Sequence, residues 1–267
     1  MLNHFTHTRH DEVAFGWERC EHDGTALSDL VTDLAESIVE LRCGGVPGLV
    51  SSWRSRRDGN GHTVAFAEEQ LREFVGLGFG LPTSPMTADH LEGSVAESLW
   101  YLLVSQFTHD DPVVYASPPD LAPTDHGADG YLIHQGAGGL RFRLWEIKKY
   151  TGSGTVRATV QRASRQLNRN ALGYLTRQIP AGQHHTDAEV RDLIVRGPEH
   201  WLSGTAEAGA GVAVTSASGA CADERFEKLE SYFDGLTDAV QIRGMVTGVV
   251  DFADLAKRVQ QELWSGL

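Results

Sequence analysis

Asp129, Glu146 and Lys148 are the residues of this 267-residue chain whose types and spacing could do chemistry. They belong to the run DGYLIHQGAGGLRFRLWEIKK, residues 129–149: an aspartate, an apolar stretch, a glycine-rich turn, a second apolar stretch, then Glu-Ile-Lys. Both stretches have strand composition, and Gln135-Gly-Ala-Gly-Gly139 supplies the turn of a hairpin. Side chains two apart on a strand share a face, so Glu146 and Lys148 continue the apolar face of Phe142 and Leu144. A hairpin symmetric about Ala137-Gly138 sets Asp129 opposite Glu146, with Cβ atoms roughly 4.5–5.5 Å apart. A slip of one residue would set Trp145 there instead. Facing carboxylates destabilise each other unless a cation lies between them. Convergent carboxylate oxygens are what Mg²⁺ takes, alongside retained waters. The blander reading of the same residues is a solvated strand face.

These residues need elements to position them. Thr87-Ala88-Asp89 can cap a helix, and Leu91 to Leu103 carries the 3.6-residue pattern. With Val95 at zero, Glu92 falls at about +60°, inside the apolar arc, and Glu97 at about 200°, on the far side with Ser94 and Tyr101. Val113 to Ala116 reads as a strand before Asp129, and Gly209 to Ser216 as a strand after a polar excursion over 181–208 with a short helix at Asp187 to Val195. Thr155 to Leu175 reads as a helix carrying Arg157, Gln161, Arg162, Arg165, Gln166 and Arg169, with Arg162, Arg165 and Arg169 on one face. The order helix, three strands, helix, strand predicts an α/β fold on a mixed sheet.

Asp129, a spacer, then Glu146-x-Lys148 on the next strand resembles the PD-(D/E)xK nuclease superfamily, with Ala128 in place of the proline of that motif. The resemblance implies a restriction-endonuclease-like core over 89–220, between a mostly helical N-terminal extension (1–88) and a C-terminal helix-strand-helix (221–267). It implies that Asp129 and Glu146 hold Mg²⁺ or Mn²⁺, with the Ile147 carbonyl as a further ligand, and that Lys148 positions the attacking water or neutralises the transition state. It also implies another acid on the preceding helix. Burial favours Glu92 for that role, while the spacing Gly93-x-x-x-Glu97 favours Glu97. The stretches HGADG and WEIKKY resemble the nuclease subunit of the Hachiman phage-defence system, implying a DNA substrate and a helicase or ATPase partner that restrains the nuclease. A catalytically inactive nuclease-fold subunit that binds DNA or acts as a scaffold is the alternative.

The net charge of −13 argues against a general nucleic-acid binder. Residues 141–177, however, hold nine basic side chains (Arg141, Arg143, Lys148, Lys149, Arg157, Arg162, Arg165, Arg169, Arg177) and one acid, Glu146. Such a stretch suits a phosphodiester backbone, with Lys149, Arg157, Arg162, Arg165, Gln166 and Arg169 as the expected contacts. Nothing reads bases, which predicts low sequence specificity. No apolar run approaches the ~20 residues of a membrane span, and the first residues lack a secretory pattern. Cys20, Cys43 and Cys221 form no Cys-x-x-Cys pair, which predicts reduced thiols in a cytoplasmic protein. No His-Glu-x-x-His spacing occurs; His126 is either a turn residue or lies at the mouth of the site. Gly76-Leu-Gly-Phe-Gly80 reads as a loop, since Leu81-Pro82 follows it. Leu27 to Leu41 reads as a helix, and the tail as helix (Asp223 to Leu236), strand (Ala239 to Val250) and a helix capped by Asp251 and ending near Trp264.

Overall fold

The strand Gly139–Tyr150, 12 residues long, sorts the core into two halves by alternation alone. The computed structural model describes residues 1–60, 65–107, 111–119, 129–150, 152, 155–217 and 226–267. Among these the chain runs β1 (Thr6–Asp11), β2 (Gly16–His22), α1 (Leu27–Cys43), α2 (Leu49–Arg57), α3 (Ala65–Phe79), β3 (Gly80–Leu81), β4 (Ser84–Pro85) and α4 (Ala88–Val104). It continues through β5 (Val113–Ser117), β6 (Gly130–Gly136), β7 (Gly139–Tyr150), α5 (Val156–Gly182), α6 (Ala188–Ser203), β8 (Ala210–Ser216), β9 (Ile242–Val249) and α7 (Phe252–Ser265). Seven strands form one mixed sheet in the order β1-β2-β9-β8-β7-β6-β5. The inner pairs β2/β9, β9/β8 and β8/β7 are parallel, and the outer pairs are antiparallel.

Each face of the sheet carries its own apolar cluster. Trp145 and Ile147 of β7 pack with Leu34 of α1, Leu71 of α3, Leu99 of α4 and Leu255 of α7. Phe142 and Leu144 pack the other way, against Leu167 and Ala171 of α5 and Leu193 of α6. The chain is thus a three-layer α/β protein in which α4 and α5 cover opposite faces of the same strand.

The hairpin has the in-register arrangement. Gly130 pairs with Trp145 and Gly136 with Gly139 around Ala137-Gly138, so Asp129, next before β6, comes opposite Glu146. Gly139 takes the positive φ, +116°, that the turn requires. Thr87 caps α4 by accepting a hydrogen bond from His90 N, and Thr155 caps α5 by accepting from Ala158 N. Asp251 caps α7 in the same way.

Four expectations change. Residues 1–88 begin with two strands, and β2 joins the sheet beside β9, so this segment is a β-hairpin followed by helices. Their sequences, THTRHD and GWERCEH, are too polar to show an apolar alternation. The expected helix over Asp223 to Leu236 is, from residue 226 onward, only a short 3-10 turn at Leu229–Tyr232. Phe226, Leu229, Phe233 and Leu236 are all buried, so their helix-like spacing records inward pointing and not helix. Lys228, at φ +65°, breaks any helix there. Gly76 and Gly78 lie within α3, which ends at Phe79, and Gly80 (φ +73°) makes the turn out of it. The helices α5 and α6 also run past Leu175 and Val195, because they pack on each other: a Cβ at Gly182 would overlap Ile194. No helix among the described residues is long and apolar enough to cross a membrane.

Gly130 is a point where two layers meet closely, since a Cβ there would overlap the Trp100 ring of α4. Gly130→Ala is expected to lower the unfolding free energy by about 1–3 kcal/mol through overpacking, read as an earlier midpoint in a urea titration. An unchanged midpoint would mean that α4 does not seat on β6 in this way.

Candidate active site

The site forms where β7 outlasts its neighbour. β6 begins at Gly130, opposite Trp145, whereas β7 continues to Tyr150, so among the described residues no strand pairs with that edge of β7 beyond Trp145. Ile147 would lose its partner there. The Asp129 carboxylate replaces it, accepting the Ile147 N–H at Oδ2 over 2.7 Å. N–H and C=O of an extended residue point to the same side, so the Ile147 carbonyl also faces this fork.

Alternation then aims the side chains. Glu146 and Lys148 leave β7 on the α5 face with Phe142 and Leu144. Glu146 has no exposed surface, and Lys148 lies between the two acids, its Nζ 2.5 Å from Glu146 Oε1 and 3.4 Å from Asp129 Oδ2. The approach to Glu146 is a close charge contact at Oε1, and Oε2 has no hydrogen-bond partner among the described residues.

The electrostatics follow from this geometry. Burial, with repulsion from Asp129, pushes the Glu146 carboxyl up from an ordinary 4.5 to about 7, against the pull of Lys148. Burial also raises Asp129, opposed by Lys148 and the Ile147 N–H. For Lys148 burial acts downward, but the two carboxylates outweigh it and hold the ammonium above its usual range. Two acids thus share one cation in a desolvated pocket, and Glu146 Oε2 has no hydrogen-bond partner among the described residues. A hard divalent ion with a few waters fits that donor set, because Mg²⁺ is commonly held by one or two carboxylates. Asp129, Glu146 and the Ile147 carbonyl could supply the ligands.

The other expected residues divide between the two faces. Glu92 and Lys149 meet on the α4 face, where Lys149 Nζ lies 2.9 Å from Glu92 Oε2 and 2.9 Å from Asp89 Oδ1, and donates to the Asp89 carbonyl at 2.7 Å. Lys149 therefore ties β7 to the start of α4, on the face opposite Lys148. The reason is parity: its odd number sends it away from Lys148. Glu97 is half-buried on α4. Among the described residues, no group of three His, Cys, Asp or Glu side chains gathers as a metal site, so neither Glu92 nor Glu97 joins the Asp129–Glu146 pair in one. His126 and Ala128 lie outside the described residues.

The basic stretch divides too. Arg141 and Arg143 leave β7 on the α4 face near its start, and Arg157 pairs with Glu227 at 3.1 Å. What remains is a surface on α5. Arg162, Arg165, Gln166, Arg169 and Asn170 line an open groove of about 510 Å³, with no carboxylate among the described residues that line it. Arg165 lies over the Tyr232 ring, 5.6 Å from its centroid. At 1.5 Å per residue, Arg162 to Arg169 lies roughly 10–20 Å along α5 from its start near the fork. The Asp89 partner of Lys149 and the Tyr232 stack were missed from sequence. Asp89 and Glu92 stand at i and i+3 on a helix, a spacing that could have suggested a shared cation; nothing local marks Tyr232. Cys20 and Cys43 are free buried thiols, raised by burial to about 12 and about 11; Cys221 lies outside the described residues.

No protein-family model matches the chain, and no curated protein matches it.

The raised Glu146 carboxyl gives a signed expectation. The folded state holds this proton more tightly than the unfolded chain, so the contribution to stability is full below about 4.5 and is lost as pH rises through about 7. Glu146→Gln removes the buried charge and should stabilise the metal-free protein at pH 8 by on the order of 1–3 kcal/mol. That gain should shrink as the pH falls below the raised carboxyl value. Thermal unfolding at both ends of this range checks it; a destabilised variant at pH 8 would contradict the assignment.

Proposed function

We propose that this chain is a metal-dependent nuclease that hydrolyses phosphodiester bonds of DNA, with a PD-(D/E)xK-type site on a restriction-endonuclease-like core. The observation that carries this reading is the buried Glu146 carboxylate beside Asp129 and Lys148, with Oε1 against the ammonium and Oε2 without a hydrogen-bond partner among the described residues. The order α4, β5, β6, β7, α5, β8 supports it, with α6 as an addition before β8. The arginine groove on α5 supports it independently, since cationic side chains provide most sequence-independent affinity for nucleic acid. DNA as the substrate, a role in anti-phage defence or restriction, and a restraining helicase or ATPase partner enter through the resemblance to the Hachiman nuclease subunit.

In this reading Mg²⁺ or Mn²⁺ held by Asp129, Glu146 and the Ile147 carbonyl would lower the pKa of a bound water and offset charge on the scissile phosphate. Lys148 does the rest of the local work. Its ammonium stays charged at neutral pH because two carboxylates flank it, and once a cation satisfies them its Nζ is available to a non-bridging phosphate oxygen or to the attacking water. Arg162, Arg165 and Arg169 hold the strand by its backbone, which sets orientation without reading sequence.

A second reading is favoured by one observation: Lys148 already bridges both acids, and no third ligand gathers with them among the described residues. An inactive fold that binds DNA would look the same. Supercoiled plasmid with Mg²⁺ or Mn²⁺ separates the two. Nicking that EDTA abolishes, and that falls at least about a hundredfold in Lys148→Ala, is the expected result. Calorimetric Mn²⁺ binding that Asp129→Asn removes is expected even if a partner restrains cleavage. Absence of both cleavage and Mn²⁺ binding in the wild type would sink the nuclease reading. Replacing Arg162, Arg165 and Arg169 together by alanine should weaken DNA binding and flatten its salt dependence by roughly two to three in log-log slope.

A further inference from the structure

One aromatic side chain reaches the arginine row of α5 from a distant part of the chain. Tyr232 ends the short 3-10 turn Leu229–Tyr232, and Leu229 and Phe233 are buried in the same apolar cluster as Leu167 and Ala171 of α5. That packing seats the turn against α5 and leaves Tyr232 half-buried beside it. The Arg165 guanidinium lies over the Tyr232 ring, 5.6 Å from its centroid, while Arg165 itself stays exposed.

Arg162, Arg165, Gln166, Arg169 and Asn170 follow the i, i+3, i+4, i+7, i+8 spacing of one helix face and line the groove of about 510 Å³. Arg162 and Arg169 are exposed, and among the described residues neither they nor Arg165 has a carboxylate partner. Gln166 and Asn170 are half-buried, and each amide can both donate and accept. Asn170 Nδ2 donates to the Tyr174 hydroxyl at 3.2 Å, which uses one donor of that amide.

Phosphates account for the cations but not for the ring and the amides. A duplex presents its backbone outward and keeps its bases stacked on one another, so the Arg165–Tyr232 pair would have no base to meet. An unpaired strand differs in both respects. Its bases stack on aromatic rings and on guanidinium planes, and their hydrogen-bonding edges are open to amides. A positively charged groove with a stacking platform is the combination that holds single strands with little regard to sequence. The volume falls within the roughly 300–1,000 Å³ of sites that enclose a drug-sized group, so a base with its sugar can enter.

We propose, resting on the nucleic-acid reading of this groove, that it binds an unpaired strand, with one base against the Arg165–Tyr232 pair and flanking phosphates on Arg162 and Arg169. Fluorescence anisotropy of the full chain in EDTA, where metal-dependent cleavage cannot intervene, tests it. The probes are a labelled oligothymidylate of about 12 nucleotides, a hairpin duplex, and an abasic strand of the same length. Oligothymidylate should bind more tightly than the other two. Tyr232→Ala should weaken that binding about tenfold, the loss of one stacked base, and leave duplex and abasic binding within about twofold. Tyr232→Phe should keep the wild-type affinity, whereas Arg165→Lys, which retains the charge without the plane, should behave like Tyr232→Ala. Oligouridylate identifies the sugar: tighter binding than oligothymidylate assigns the groove to RNA, and weaker binding to DNA. Duplex bound as tightly as oligothymidylate, an oligothymidylate affinity unmoved in Tyr232→Ala, or no binding of any probe would overturn the proposal. Metal-dependent plasmid nicking is read separately, so the nuclease reading can survive each of these results.

Discussion

Glu146 is a carboxyl group with no exposed surface, facing a second carboxyl at the end of a strand, and the surroundings answer that burden. Removing an ion from water costs several kcal/mol even after relaxation. An ammonium at ~4 Å returns on the order of 4 kcal/mol per pair at an effective dielectric near 20. One lysine shared between two acids therefore leaves a deficit, expressed as the upward drift of the Glu146 carboxyl toward neutrality. A protein can retain such a deficit where something other than stability requires it. Neighbouring elements limit the damage: Asp129 spends one oxygen on the Ile147 N–H, so that donor keeps a partner where β6 stops.

The second constraint is the period of two along β7. It assigns Phe142, Leu144, Glu146 and Lys148 to the α5 side, and Arg141, Arg143, Trp145, Ile147 and Lys149 to the α4 side. A stretch that is uniformly basic in sequence thereby becomes several separate devices: a lysine among acids, a lysine tethering α4, a pair of arginines near the start of β7, and a row of arginines on α5. Local charge in a chain predicts a surface only after the strand has been folded through it. The overall charge of −13 is compatible with all of these, because each positive group is concentrated where the fold puts it.

Much of the frame was legible from periodicity. The hairpin register followed from the turn, and the starts of α4 and α5 followed from Thr87 and Thr155. Parity likewise grouped Glu146 and Lys148 with Phe142 and Leu144. What was not legible depends on distant partners. β1 and β2 are strands because β9 offers them an edge, which no pattern in THTRHD announces. Phe226 to Leu236 carries helix-like spacing yet is folded against the sheet by burial alone. Helical-wheel geometry placed Glu92 correctly toward the sheet, but it could not tell that the strand beneath would present Lys149 and not the acid pair.

That last failure bears on chemistry. A helix packed on one face of a sheet reaches the residues of that face, and side chains of the other face reach it only around an end where the strands part. Glu92 sits beside Lys149, so its charge is spent near the site without entering it. Among the described residues, the further ligands open to a cation at the fork are its waters, the Ile147 carbonyl and the phosphate itself. Mg²⁺ commonly completes its shell from substrate phosphates. A site built in this way would be weak for metal alone and stronger with nucleic acid bound, so metal and substrate would each raise the affinity for the other.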